Sequence, residues 1–323
     1  MAGRAGTGIL DTAAPAGTLL RQGAWAVNRV GLFLGILLIA QLFLTLLLYR
    51  QDSAGAGDTD NQALVSSGAY VIDELTVEDA NGNSVVLRRT GNLWQLPDLA
   101  GLPADPEKVA KVLQQLTDED PGWTVAHTLA ARQRFQVADY HFRRKVSLAS
   151  LGQTIGTVYL GTSPGFRKVH ARNERSDGIY SLDLNLYDLP LEAGKWLEPR
   201  LLQVRAPVAI TADGYSLQRR DGEWRLGTGK APDPRELQAL LDALRNLQVL
   251  GVASQEQQEA TTRSEATLVL DITSLAGSRK LEFFRLGDDH FAASSEYPHL
   301  FRISAYDFDQ LTGIDSLLLS GAQ

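Results

Sequence analysis

The 323-residue chain contains no cysteine. That absence excludes disulfides, thiolate nucleophiles, iron–sulfur clusters and the usual thiolate zinc sites, and it removes the attachment residue of a bacterial lipoprotein. Histidine is scarce: His127, His141, His170, His290 and His299 are the five present, and none falls in an HxxxH, HxH or HExxH spacing that would set two imidazoles on one face. Basic residues are outnumbered, 31 against 38 acidic ones. Three basic residues and one acidic residue precede Val30, so the first 29 residues carry a formal +2 and everything after them −9. An acidic main body speaks against nucleic acid as a partner, because phosphate binding draws its affinity from Lys and Arg.

Signatures of chemistry are missing as well. No G-x-S-x-G supports an esterase elbow. Gly227-Thr228-Gly229-Lys230 looks like part of a phosphate loop, but the first glycine of that loop would fall at Trp224, and Ala231 stands where Ser or Thr would hold magnesium. Asp288-Asp289-His290 reads as a turn, where Asp bonds its own backbone. The residues therefore predict no catalytic, cofactor-binding or metal site. With 44% apolar and 21% charged residues, the chain nevertheless has ample material for a folded core.

What the chain does have is one long apolar run. Residues 30–49, VGLFLGILLIAQLFLTLLLY, contain no charge, and at ~1.5 Å of rise per residue they reach ~30 Å, the hydrocarbon thickness of a bilayer. Arg4, Arg21 and Arg29 lie before the run, and Asp52, Asp58 and Asp60 follow Arg50. This bias predicts a cytoplasmic N-terminus, with residues 50–323 outside the inner membrane. Ala54-Gly55-Ala56 would also suit a signal cleavage site, but the run exceeds the 7–15 residues of a signal core. Residues 50–68 are small and polar and read as a tether.

Beyond the tether the sequence resembles itself. Leu87, Arg89, Trp94 and Leu96 recur as Leu217, Arg219, Trp224 and Leu226 at an offset of 130, each set flanking a Gly-containing turn as in a β-hairpin. Asp105-Pro106 and Asp233-Pro234 each place Asp at a helix N-cap and Pro at the first helical position. The stripe Val109, Val112, Leu113, Leu116 then repeats as Leu237, Leu240, Leu241, Leu244. One stripe per copy implies that each helix packs on its own sheet. Strand-like segments close both copies, Val158-Tyr159-Leu160-Gly161 answering Phe284-Arg285-Leu286-Gly287.

The expected fold is α+β: an N-terminal transmembrane helix followed by two related units, each an antiparallel β-meander packed on one helix. The boundaries read as a cytoplasmic arm at 1–29, the span at 30–49, the tether at 50–68, a first unit at 69–202, a shorter second unit at 203–317 and a tail at 318–323.

The hairpin with Trp94, Asp105-Pro106 and its helix, Val158-Tyr159-Leu160-Gly161, Gly178-Ile179-Tyr180 and Trp196-Leu197-Glu198-Pro199-Arg200 together resemble a bacterial family of unknown function, DUF4340, over roughly residues 70–250. The resemblance implies an N-terminal span joined to such units and an auxiliary role beside ABC transporters of the gliding-motility type. It implies no catalytic residues.

One cluster stands out in the acidic body: Arg132, Arg134, Arg143, Arg144 and Lys145, with Phe135, Tyr140 and Phe142 between them. It could meet an anionic head group, a cell-wall polymer or an acidic partner, or be the polar face of a strand whose aromatics turn inward. The functional expectation is a non-catalytic, membrane-anchored accessory or scaffold protein of an envelope or transporter complex. Its partners would be the bilayer, through residues 30–49, and a membrane or envelope protein. The alternatives are an envelope enzyme acting on polysaccharide or peptidoglycan through a carboxylate pair, and a small-ligand sensor.

Overall fold

The computed structural model describes residues 31–46, 63–66, 68 and 70–321. Residues 1–60 and 61–323 are two separate units. In the first, residues 31–46 form a helix, α1, and every described residue in it is exposed. Among the described residues no helix is long and apolar enough to cross a membrane. The remaining residues of the expected span, Val30 and Leu47–Tyr49, lie outside those described, as do the cytoplasmic arm and most of the tether.

In the second unit, β1 (Glu74–Glu78), β2 (Ser84–Thr90), β3 (Leu93–Leu96) and the short β4 (Leu102–Pro103) precede α2 (Pro106–Thr117). β5 (Thr124–Ala126), α3 (Leu129–Arg134) and a small hairpin of β6 (Val137–Ala138) and β7 (His141–Phe142) come next. β8 (Arg144–Ser150), β9 (Gln153–Leu160), β10 (Val169–Asn173) and β11 (Ile179–Leu182) complete a nine-stranded antiparallel sheet in the order β4-β3-β2-β1-β8-β9-β10-β11-β5.

The pattern then recurs. β12 (Pro207–Thr211), β13 (Ser216–Arg220) and β14 (Glu223–Leu226) lead to α4 (Pro234–Asn246), β15 (Val249–Val252) and α5 (Gln255–Thr262). β16 (Leu268–Ser274), β17 (Gly277–Leu286), β18 (Asp289–Ser294) and β19 (Tyr297–Ile303) follow, before α6 (Ala305–Thr312) and α7 (Ser316–Leu319). The second sheet has the order β14-β13-β12-β16-β17-β18-β19-β15. Without β4, the two orders match strand for strand, with the strand after the capped helix at the far edge in each.

Local chemistry explains why the copies agree. The Asp105 side chain accepts from the backbone N–H groups of Glu107 and Lys108, and Asp233 accepts from Arg235 and Glu236, so each helix starts on a satisfied cap with Pro at its first position. The hairpin registers are equivalent: Arg89 faces Trp94, and Arg219 faces Trp224. In the second hairpin the two-residue turn has positive φ at both Asp221 and Gly222, the geometry that matches strand twist.

Several expectations need correction. The helices do not serve separate cores: one continuous apolar cluster includes Val109, Val112 and Leu116 of α2, Leu240 and Leu244 of α4, and inner-face residues of both sheets. An α-helical stripe buries area against whatever apolar surface is near, and the apolar surfaces of the two halves run into one another. Nor does each meander have one helix. A smaller apolar cluster lies under α3 and the β6–β7 hairpin, and another involves Phe284, Phe291 and Leu300 of the second sheet. Within the stretch expected to be a tether, Leu64 and Val65 are buried, and the Val65 N–H donates to the Leu116 carbonyl at 2.9 Å. Val65 seats over Gly156, where a Cβ would come within 2.5 Å of the valine side chain. At the other end, Leu319 of the presumed tail is fully buried, and its carbonyl accepts from the Asp233 N–H.

Candidate functional site

The most polar buried region lies on the outer face of the first sheet. Side chains alternate along a strand, so Val169 and Ala171 of β10 enter the main core while His170 and Arg172 turn to the other face. There they are covered by α3 and the β6–β7 hairpin, which contribute Ala131, Phe135, Val137 and Phe142. Thr128 caps α3 by accepting from the Ala131 N–H. The cover is latched through the backbone: the Thr162 N–H donates to the Phe135 carbonyl at 2.8 Å. Gly161 permits this approach, since a Cβ there would fall inside the van der Waals envelope of the Phe135 and Gln136 carbonyls.

His170 stacks on Phe135 with ring centroids 4.1 Å apart, and its Nδ1 lies 2.9 Å from the Thr162 carbonyl oxygen. An Nδ1–H donated to that carbonyl suits the geometry. Burial lowers the imidazole pKa, partly offset by this hydrogen bond. A depressed folded-state pKa adds stability that is present above the unfolded value and lost as pH falls through the folded one. The difference in melting temperature between the native protein and His170→Gln is therefore expected to shrink as pH drops below about 6.5. A difference constant from pH 8 to pH 5 would contradict that account.

Arg172 is 3% exposed. Its Nε donates to the Val137 carbonyl at 2.8 Å and its Nη1 to the carbonyls of Asn173, Glu174 and Ser176, while the guanidinium lies 5.0 Å from the Tyr159 ring centroid. Burial and the neighbouring Arg132 lower its pKa, though a guanidinium stays charged. Its Nε and Nη1 thus tie the β10–β11 loop and the cover together. Burial likewise raises the pKa of Tyr159. The burial of His170 and Arg172 is not legible in the sequence, because polar residues alternating with Val169 and Ala171 read as the solvent face of a half-buried strand.

The five basic residues of the sequence cluster do not form one patch. Arg132 pairs with Asp177. Arg134 is exposed, 5.4 Å from the Phe135 ring centroid, and Arg143 donates to Gln136 Oε1 at 2.7 Å. Arg144 and Lys145 are consecutive residues of β8 and so point to opposite faces. Arg144 Nε donates to the Leu189 carbonyl at 3.1 Å, and Lys145 pairs with Glu78 of β1 at 2.8 Å. Of the interleaved aromatics, Phe135 and Phe142 pack inward and Tyr140 is exposed.

Two clefts open elsewhere. One, of about 580 Å³, has Asp213, Asp271 and Asp315 on its rim, with Tyr215 beside them. Asp315 caps α7 by accepting from Leu318. Burial pushes the Tyr215 phenol up to about 12, and its Oη has no hydrogen-bond partner. The second, of about 300 Å³, lies where the loop after α2 meets β5 and β11, and is lined by Trp123, Asp118, Asp120 and Lys168 among others. Among the described residues no group of three or more His, Asp or Glu is placed to hold a metal ion.

A third feature ties the halves together. Trp196 is fully buried, and its Nε1 donates to the Pro190 carbonyl at 2.8 Å. The Asp105 N–H donates to the Trp196 carbonyl, Ala104 bridges to Leu197, and the Val249 N–H donates to the Pro199 carbonyl. The five residues from Trp196 to Arg200 thus bond the cap of α2 on one side and β15 on the other. Lys108 Nζ sits 4.8 Å from the indole centroid, and burial lowers its pKa.

A family model described as a domain of unknown function, DUF4340, matches residues 94–268, which is more than half of the chain. The chain belongs to the DUF4340 family. The DUF4340 match begins at Trp94 in β3 and ends at Leu268 in β16, later at both ends than the residues 70–250 expected from sequence. It therefore holds both capped helices, the Gly161 latch and the Trp196–Arg200 clamp. No curated protein and no solved structure matches the chain.

Proposed function

We propose that this DUF4340 protein is a membrane-anchored accessory or scaffold protein, held by residues 30–49 in the inner membrane, with residues 50–323 on the extracytoplasmic side and engaged with an envelope or ABC-transporter-associated complex. The observation that carries the proposal is the apolar surface of α1. Eleven Leu, Ile and Phe side chains between Leu32 and Leu46 are 52–78% exposed. Apolar surface in water is unfavourable by roughly 25 cal/mol per Å², so a helix of this composition calls for lipid around it. The +2 arm before it and the acidic stretch after it support the orientation. A duplicated unit, at residues 69–202 and 203–317, joined by one clamp into a shared core, suits a rigid scaffold. The non-catalytic part of the reading draws on the commitment of the most buried polar side chains, His170 and Arg172, to backbone carbonyls.

Fusing alkaline phosphatase after Gln323 is expected to give an active reporter, and deleting residues 31–46 an inactive one. An inactive full-length fusion, with a cytosol-active reporter such as β-galactosidase active at the same position, would remove the anchor, its orientation and the partner class together. Cross-linking in intact cells should then recover a specific membrane or envelope protein.

A further inference from the structure

Trp123 has no explanation in the fold. Its side chain is 88% exposed, yet the loop presenting it is carefully built: the Asp120 N–H donates to Asp118 Oδ1 at 3.1 Å, the Gly122 N–H to Asp120 Oδ1 at 2.9 Å, and Gly122 holds φ +85. A large indole left in water on a pinned loop forgoes the gain its burial would bring. That loop forms one wall of the 300 Å³ cleft, and Gln115, Lys168 and Asp183 stand on the others.

We infer that this cleft binds a saccharide, with a pyranose ring stacked on Trp123 and its hydroxyls bonded to the surrounding polar groups. The indole face carries the negative lobe of its quadrupole, which suits the polarised C–H groups on the apolar face of a sugar ring. The rim supplies what hydroxyls need. Asp118 and Asp120 each spend Oδ1 on the loop, and their Oδ2 atoms carry no hydrogen bond among the described residues. Gln115 offers an amide that can donate and accept. Lys168 is held by Asp183 at 2.8 Å, so its ammonium is oriented and partly neutralised. Three carboxylates against one ammonium favour a neutral or amino sugar and repel a uronic acid. The volume matches the lower end of small-molecule sites, roughly one or two sugar rings.

An extended peptide added to the sheet edge is the competing occupant. β5 forms that edge, but it has only three residues, Thr124–Ala126, and so offers a short ladder for strand addition. The cleft's polar lining favours the sugar. The inference does not depend on the anchoring or scaffold role and can hold if either fails.

The test is calorimetric titration of the purified full chain, in a detergent without a sugar head group, with cellotetraose, a glucosamine tetramer and tetragalacturonate. Saturable binding is expected for the first two, with Kd on the order of 1 mM, and none for the uronate. Trp123→Ala should weaken binding at least ~10-fold, a change of about 1.4 kcal/mol, with the melting temperature unchanged because the side chain is exposed. Trp123→Tyr should keep most of the affinity. Absence of saturation with all three probes would overturn the inference, as would equal binding by Trp123→Ala. An extended peptide that protects Trp123 while no sugar binds would also overturn it and identify the sheet edge as the site.

Discussion

Replacing Trp196 by alanine is expected to destabilise the folded part of the chain by ~3–5 kcal/mol, the range for removing a large buried aromatic. The side chain is fully enclosed, and it closes a segment that bonds the α2 cap through Asp105 and β15 through Pro199. The truncation leaves a cavity, strips the Pro190 carbonyl of its donor and removes the ring beneath Lys108. Because the core runs through both halves, the native protein should unfold in one transition, and the loss should appear as a fall of roughly 10 °C in melting temperature. Trp196→Phe should recover much of the packing but not the hydrogen bond, leaving a deficit of about 1–2 kcal/mol. Calorimetry decides: a shift under ~2 °C for the alanine variant would mean that the clamp does not hold the halves together. Two separate transitions in the native protein would contradict the shared core itself.

Gly161→Ala is the second large effect. Gly161 directly follows β9, and a new methyl there would meet the carbonyl oxygens of Phe135 and Gln136, which belong to the backbone and cannot rotate away. Either β9 or the α3 cover must move. Overpacking typically destabilises by 1–3 kcal/mol, and a backbone obstruction belongs at the top of that range, ~3 kcal/mol. The cover is the softer partner, since it is a six-residue helix and a six-residue hairpin seated on a small apolar cluster. Hydrogen exchange should therefore accelerate across residues 128–143 and at Thr162, while β1, β2 and β8 stay protected. Uniform acceleration throughout the sheet would show that the latch is not local. Loss of the latch would also wet His170 and Arg172, so the pH dependence assigned to His170 should weaken in the same variant.

Local signals were readable where a short stretch of chain settles its own conformation. Asp105-Pro106 and Asp233-Pro234 specify helix starts because the capping oxygen and the missing N–H act within one turn. Asp221-Gly222 specifies a tight hairpin for the same kind of reason. The meander strands β8 to β11 and β16 to β19 were visible through runs of Val, Ile, Phe and Tyr. The short edge strands β5 and β15 were not, because three or four residues hold too little periodicity, and their pairing with β11 and β19 bridges 50 or so residues of sequence. Helix α5 is not legible because QEQQEATT has no apolar stripe, and α7 because four residues, Ser316–Leu319, are too few to show a period. The basic cluster misled for a related reason: five cations close in sequence look like a patch, but strand alternation sends Arg144 and Lys145 to opposite faces, and Asp177 and Glu78, far along the chain, neutralise Arg132 and Lys145.

By itself the sequence determined the α+β class, the internal repeat, the two capped helices, the apolar run at residues 30–49 and membership of DUF4340, since each is carried by the order and identity of residues along the chain and needs no knowledge of which segments meet in space. Only the tertiary structure decided that the two copies share one core, that residues 196–200 clamp them, that His170 and Arg172 are buried beneath a latched cover, and that Trp123 stands bare beside a polar cleft. Those facts depend on surfaces meeting from distant parts of the chain, and neither burial nor a counter-ion can be assigned to a residue before its neighbours in space are known.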